Sequence, residues 1–142
     1  MLDKRLDASW WALRIAYGVV PIVAGLDKFT NLLTSWPEYL SPLALRVLPF
    51  SGTTFMHIVG VIEIVAGLIV LSKATRVGAY IVSVWLLCIA LNLILGGRYL
   101  DVAVRDIVLA IGSFTLARMS VVRPHAAQPA GQPASMSPAH AR

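Results

Sequence analysis

The stretch GVIEIVAGLIV, residues 60–70, decides the fold class of this chain. Ten of its eleven residues are glycine, alanine or branched aliphatics, and the remaining one is Glu63. The stretch lies inside a longer apolar segment, 53–71, that is too long and too evenly apolar for a strand. We therefore predict a membrane-spanning helix with one carboxylate near its midplane.

The composition extends this prediction to the whole chain. Hydrophobic residues make up 58% and charged residues 13% of the 142 residues, whereas soluble domains have about a quarter charged residues. The apolar segments are 10–29, 53–71, 77–95 and 102–119, each close to the roughly 20 residues that cross a bilayer. Backbone groups in lipid must be satisfied within each segment. We predict an all-α, four-helix transmembrane bundle over 1–122 and a disordered Pro/Ala/Gln-rich tail over 123–142.

The charges indicate an orientation. The net charge is +5, and the basic residues flank apolar segments instead of forming a stripe, which favours contact with anionic lipid over nucleic acid. An even number of spans places both termini on one side, and the lysine and arginine bias predicts that this side is cytoplasmic. The first apolar segment lacks a clear small-x-small cleavage site, so we expect an uncleaved helix. The single cysteine, Cys88, excludes an intrachain disulfide and a CxxC motif.

The connections differ in length. The first one contains the interfacial aromatics Trp36, Tyr39 and Phe50, and its stretch PLALRVL, 42–48, is predicted to lie flat on the outer face and cover the bundle. The second connection, SKATR, is a short basic turn, so the second and third spanning helices should be antiparallel neighbours.

Polar residues at membrane depth are the main functional signal. Counting residues along each segment places nearly all of them in the outer half, which predicts a polar pocket there. These outer-half residues are Lys28, His57, Glu63, Asn92, Arg105 and Asp106. Arg14 lies instead near the cytoplasmic boundary. Gly60, Glu63 and Gly67 share one helix stripe, and a second stripe on the first helix carries Arg14, Gly18, Pro21, Gly25 and Lys28.

Each polar residue also has a structural alternative. Glu63 is protonated, is paired with Arg105, or is shared with a ligand. Arg14 either extends to the headgroups or belongs to a site. Asn92 joins helices or binds a ligand, and His57 makes a helix contact or handles protons.

Several chemistries are excluded by the sequence pattern. His57 is the only histidine in a predicted span, so two histidines of one chain cannot hold a haem there. No cysteine–histidine zinc set, 2-His-1-carboxylate motif, nucleophile elbow, P-loop or Rossmann glycine pattern is present. We expect no metal site, and any redox chemistry would require a lipid-soluble carrier or a partner subunit.

Three stretches resemble the DoxX-like (DoxX/DoxD) small integral membrane proteins. They are LRIAYGVVPIVAGLDKF in the first helix, GVIEIVAGLIVL in the second and DVAVRDIVLAIGSFTLARM in the fourth. The resemblance implies a four-helix bundle in a bacterial cytoplasmic membrane. The family includes small subunits of thiosulfate:quinone oxidoreductase and proteins of complexes that handle thiol or oxidative stress. The family's recurrent polar positions fall on Arg14, Lys28, Glu63, Arg105 and Asp106.

These observations lead to a first expectation about function. The protein is expected to be a quinone- or thiol-linked subunit of a membrane oxidoreductase system, with Glu63 and His57 as candidate catalytic groups. Lys28 and Arg105 would anchor the ligand, and Asn92, Asp106 and Arg14 complete the candidate ligand-binding residues. Quinone would be the diffusible cofactor, and the partners would be the bilayer, an oxidoreductase and further copies of the chain. The alternative is a non-enzymatic scaffold, anchor or small carrier.

Overall fold

The computed structural model describes residues 4–123, and every regular element in that range is helical. The four long helices are α1 (Lys4–Thr30), α3 (Gly52–Leu71), α4 (Thr75–Gly96) and α5 (Leu100–Val122). Between α1 and α3 lie a 3₁₀ turn (Trp36–Tyr39) and the short helix α2 (Pro42–Val47). Each predicted apolar segment lies inside one long helix. The predicted disordered tail falls, apart from its first residue, outside the described range.

Three of the long helices, α1, α3 and α4, are long and apolar enough to cross a membrane. With 20–27 residues at about 1.5 Å per residue, each matches or exceeds a hydrocarbon core of about 30 Å. Their outward faces are aliphatic, with exposed side chains such as Val20, Val65 and Val84. The helix α5 is also long but is not among these three, and it carries Arg105 and Asp106 well inside its length. These surfaces indicate a lipid bilayer environment.

The bundle consists of two closely packed antiparallel pairs. The helix α1 packs most extensively on α3, and α4 packs on α5 to a similar extent. The predicted contact between α3 and α4 is confirmed and joins the two pairs. At this contact, a Cβ on Gly78 would lie 2.5 Å from the backbone nitrogen of Val70, so the absence of a side chain lets the helices meet closely.

Hydroxyl groups link the second pair. Ser83 Oγ donates to the Ala110 carbonyl at 2.9 Å, and Ser113 Oγ donates to the Ala79 carbonyl at 2.8 Å. The Tyr17 hydroxyl donates to the Leu109 carbonyl at 2.7 Å and thereby ties α1 to α5. These small and hydroxylated residues follow the usual pattern of helix association in lipid, where interhelical hydrogen bonds replace a hydrophobic driving force.

One end of the bundle, here called the termini end, joins the first helix to the last. The Trp10 indole donates to Ser120 Oγ at 2.8 Å, and Arg123 pairs with Asp7 at 2.8 Å. At the same end, Arg14 donates to the carbonyls of Val70, Leu71 and Ser72 at the end of α3. A cation beside the free carbonyls of a helix C-terminus is favourable, so Arg14 has a capping role in the structure.

The opposite end, here called the loop end, carries the connection 31–51 and the turn 97–99. The helix predicted within 42–48 is present as α2, and Ser41 caps its first turn by accepting from the Ala44 amide at 3.1 Å. Asn92 of α4 accepts from the Ser41 amide at 3.1 Å and donates to the Tyr39 carbonyl at 2.8 Å. Asn92 therefore fastens the connection to α4.

Candidate functional site

The site depends on a close approach of α1 and α3. A Cβ on Gly25 would lie 2.5 Å from the Gly60 carbonyl oxygen, and a Cβ on Gly60 would lie 2.6 Å from the Gly25 carbonyl oxygen. One helical turn beyond each glycine in the sequence, Lys28 and Glu63 occupy the same two stripes. The glycines predicted to face a neighbouring helix therefore bring a lysine and a glutamate together.

Lys28 and Glu63 form a buried ion pair. The ammonium lies 2.6 Å from Glu63 Oε2, and the two side chains are 4% and 8% exposed. The alternative in which Arg105 reaches down to Glu63 is wrong. The Arg105 guanidinium is 63% exposed and pairs with its own neighbour Asp106 at 3.2 Å. Lys28 approaches through the glycine contact, whereas Arg105 lies on the outward side of α5.

Trp36 covers the ion pair from the loop end. Its ring lies 3.7 Å from the Lys28 ammonium, a cation–π contact. The indole nitrogen donates to Asp27 Oδ2 at 2.7 Å, and the ring is therefore held from two sides. Asp27 is 7% exposed; it fixes the connection and is not the ion partner of Lys28.

Asp106 and Trp85 complete the polar cluster. Asp106 is 4% exposed and lies within electrostatic range of both Lys28 and Glu63. The indole of Trp85 is buried beside Glu63, and its Nε1–H lies close enough to interact with the carboxylate, although it makes no hydrogen bond of ordinary geometry within residues 4–123. The cluster thus holds one lysine, two carboxylates and one indole donor.

The other candidate residues lie apart from this cluster. His57 is half-buried and stacks on Phe29 with ring centroids 4.8 Å apart. Asn92 binds the connection, and Arg14 caps α3 at the termini end. The structure therefore joins Lys28, Glu63 and Asp106, with Arg105 at their edge, and within residues 4–123 Arg14, His57 and Asn92 make no hydrogen bond or ion pair with them. No group of three histidine, cysteine, aspartate or glutamate side chains within residues 4–123 is arranged to hold a metal.

A cleft of about 200 Å³ opens at the loop end, between the connection and the turn 97–99. Tyr39 and Tyr99 stack on its wall with centroids 4.4 Å apart, and Arg98 lies on its rim. The cleft is not lined by Lys28, Glu63 or Asp106. The 3₁₀ turn contacts both places, since its residue Tyr39 lines the cleft and its residue Trp36 covers Lys28.

Chemically, the cluster suits hydrogen bonding and proton exchange. Buried ionisable groups inside a membrane bundle typically face a ligand site or a proton path. Sequence reasoning identified Trp36 as an interfacial aromatic but missed its contact with Lys28, and it missed Trp85. Neither the contact of Trp36 with Lys28 nor that of Trp85 with Glu63 can be predicted from the sequence, because both depend on how α1, α3 and α4 are rotated about their axes.

A comparison with protein-family models identifies the class. The DoxX model matches residues 9–95, more than half of the chain. The chain belongs to the DoxX family, as the stretches in its first and second helices indicated. The match includes Lys28, Glu63 and Trp85, whereas Asp106 lies beyond it. No curated protein and no solved structure matches the chain.

Proposed function

We propose that this DoxX-family membrane protein is a subunit of a membrane oxidoreductase system, in which the Lys28–Glu63 cluster receives the polar headgroup of a quinone. The observation that supports this is the buried ion pair with a second carboxylate and the Trp85 indole beside it. Ionisable groups within a membrane bundle are costly and typically mark a ligand or proton path. A headgroup carbonyl would offer the Trp85 indole an acceptor in better hydrogen-bond geometry than Glu63.

The roles follow from position. Glu63 would exchange protons with the headgroup, and Lys28 would orient it, while Asp106 with the exposed Arg105 would connect Glu63 to the surface. Reduction of a quinone takes two electrons and two protons. A partner subunit would supply the electrons, and the chain would carry the protons.

The proposal includes a membrane arrangement. Residues 1–122 would form one membrane domain in a bacterial cytoplasmic membrane, with α5 as a fourth span and both termini in the cytoplasm. The length of α5, 23 residues, and its packing on α4 support this. The orientation is supported by the excess of lysine and arginine at the termini end, which has Lys4, Arg5, Lys73, Arg76 and Arg123.

The test is purification in a mild detergent with mass spectrometry of bound quinones and proteins. We expect the wild type to retain quinone. The quinone bound to Glu63→Gln should be at least about tenfold lower, which corresponds to a loss of about 1.4 kcal/mol of binding free energy. Glu38→Gln, on an exposed carboxylate of the connection, is the matched control and should retain quinone. Equal retention by Glu63→Gln would show that the Glu63 carboxylate does not hold the headgroup.

A second candidate is a non-enzymatic scaffold, anchor or small carrier. It is favoured by the closed state of the ion pair, in which Lys28 and Glu63 satisfy each other, and by the position of the cleft away from them. Its signature is a co-purifying protein without quinone. Loss of that protein upon Glu63→Gln would then assign the pair a structural role.

A further inference from the structure

The first residues of the connection, 31–33, are here called the tip, and they expose two large apolar side chains. Leu32 is 84% exposed and Leu33 is 71% exposed, and of the large hydrophobic residues within 4–123 only Val47 has a comparable value. Both leucines follow the end of α1 and lie outside regular helix. Water is an unfavourable environment for two adjacent leucines.

The backbone of this tip does not need water for its amide groups. The Asn31 amide donates to the Asp27 carbonyl at 2.7 Å. The Leu32 and Leu33 amides donate to Asp27 Oδ1 at 3.0 and 3.1 Å. One buried residue thus satisfies three successive donors. Irregular backbone is excluded from the hydrocarbon of a bilayer because unpaired donors cost several kcal/mol there, and this cost is absent for these three.

The surroundings favour lipid as the occupant. The tip continues the outward face of α1, where Leu26 and Phe29 are 56% and 47% exposed. That face belongs to a helix long and apolar enough to span a bilayer. No charged residue lies between Phe29 and Trp36, so hydrocarbon can reach the tip without desolvating an ion.

We propose that the side chains of Leu32 and Leu33 insert into the hydrocarbon of the adjacent leaflet and anchor the connection there. The anchor goes beyond the proposed function, because it holds for a quinone site and for a scaffold alike. It also bears on the cluster, since the carboxylate that satisfies the Leu32 and Leu33 amides accepts from the Trp36 indole. Asp27 therefore holds both the tip that contacts lipid and the Trp36 ring that covers Lys28.

The test measures depth with an environment-sensitive NBD label. In a Cys88→Ala background, Leu33→Cys is labelled and the full chain is reconstituted into phosphatidylcholine vesicles that carry doxyl-labelled acyl chains. We expect blue-shifted emission and quenching by doxyl lipid at least about threefold stronger than by aqueous iodide. Lys73→Cys, exposed on the turn at the termini end, is the matched control and should be quenched by iodide.

Two results would overturn the proposal. Water-like emission with strong iodide quenching at position 33 places the tip in solvent. Blue-shifted emission without doxyl quenching places it against protein, as in a second copy or a partner. Asp27→Asn tests the cause: it should raise iodide quenching at position 33 about twofold or more, because a neutral amide oxygen is a weaker acceptor than a carboxylate for the Leu32 and Leu33 amides. An unchanged depth at position 33 would show that insertion does not depend on the hydrogen bonds of Asp27.

Discussion

Lys28 is held by contacts of two kinds, an ion pair with Glu63 at 2.6 Å and a ring contact with Trp36 at 3.7 Å. Neither contact alone compensates for moving an ammonium out of water. Asp106 adds a further electrostatic interaction with Lys28. An intact buried ion pair of this kind adds little to the free energy of unfolding. Removing one partner leaves the other charge buried and unpaired, which strongly destabilises the protein.

We predict that Lys28→Met destabilises the protein by about 3–5 kcal/mol, because it leaves Glu63 buried without its cation. The double variant Lys28→Met/Glu63→Met should recover most of this loss, since no charge is then stranded. Thermal unfolding in detergent measures both. A double variant as unstable as Lys28→Met would show that the loss is due to packing and not to charge.

At this scale, the sequence predicted that Glu63 faces the bundle, but not which cation pairs with it. Lys28 and Arg105 both lie in the outer half by residue count. The choice between them depends on the rotation of α5, which leaves the Arg105 side chain 63% exposed. Residue counting gives depth along a helix and carries no information on that rotation.

The contact between α1 and α3 is the element that positions the site. A Cβ on Gly67 would meet the Gly18 carbonyl oxygen, and a Cβ on Gly18 would meet the Leu71 side chain, so the two helices remain close over several turns. The glycine stripes were recognisable in the sequence because their spacing of three, four or seven residues returns to the same helix face. The serine hydroxyls between α4 and α5 were not recognised, since a serine in an apolar segment fits many faces equally well.

We predict that Gly60→Val separates α1 from α3 and destabilises the protein by about 1–3 kcal/mol or more, as overpacking does. Its first added carbon would lie 2.6 Å from the Gly25 carbonyl oxygen. Val61→Ile, on a residue that is 52% exposed, is the matched control and should leave stability unchanged. The measurement is thermal unfolding in detergent. Equal stability of Gly60→Val and the control would contradict the close contact.

The whole molecule raises the question of how many times the chain crosses the membrane. Three helices are apolar enough by themselves, and α5 packs against α4 along its length. The charged residues of α5 lower its hydropathy, but Asp106 is buried within the bundle. The exposed Arg105 lies in the second turn of α5, close enough to the loop end for its long side chain to reach the headgroup region. A helix of modest hydropathy can cross a bilayer in this way while lipid meets its apolar side. Val104, Val108 and Ile111 are exposed on that side.

We predict that α5 is a span and that the termini are cytoplasmic. In a Cys88→Ala background, a membrane-impermeant maleimide should label Glu38→Cys in intact cells. It should label Val122→Cys only after the membrane is permeabilised. Both target positions are exposed. Labelling of Val122→Cys in intact cells together with Glu38→Cys would show that α5 does not cross.

The contacts at the termini end have a consequence for biosynthesis. The partners of Asp7 and Trp10 are Arg123 and Ser120, so these contacts of α1 form only after α5 has been made. The ion pair between Lys28 and Glu63 lies wholly within α1 and α3. Because helices emerge in chain order during synthesis, the pair can close before α4 and α5 add Trp85 and Asp106. We expect the bundle to assemble by adding the second helix pair to the first.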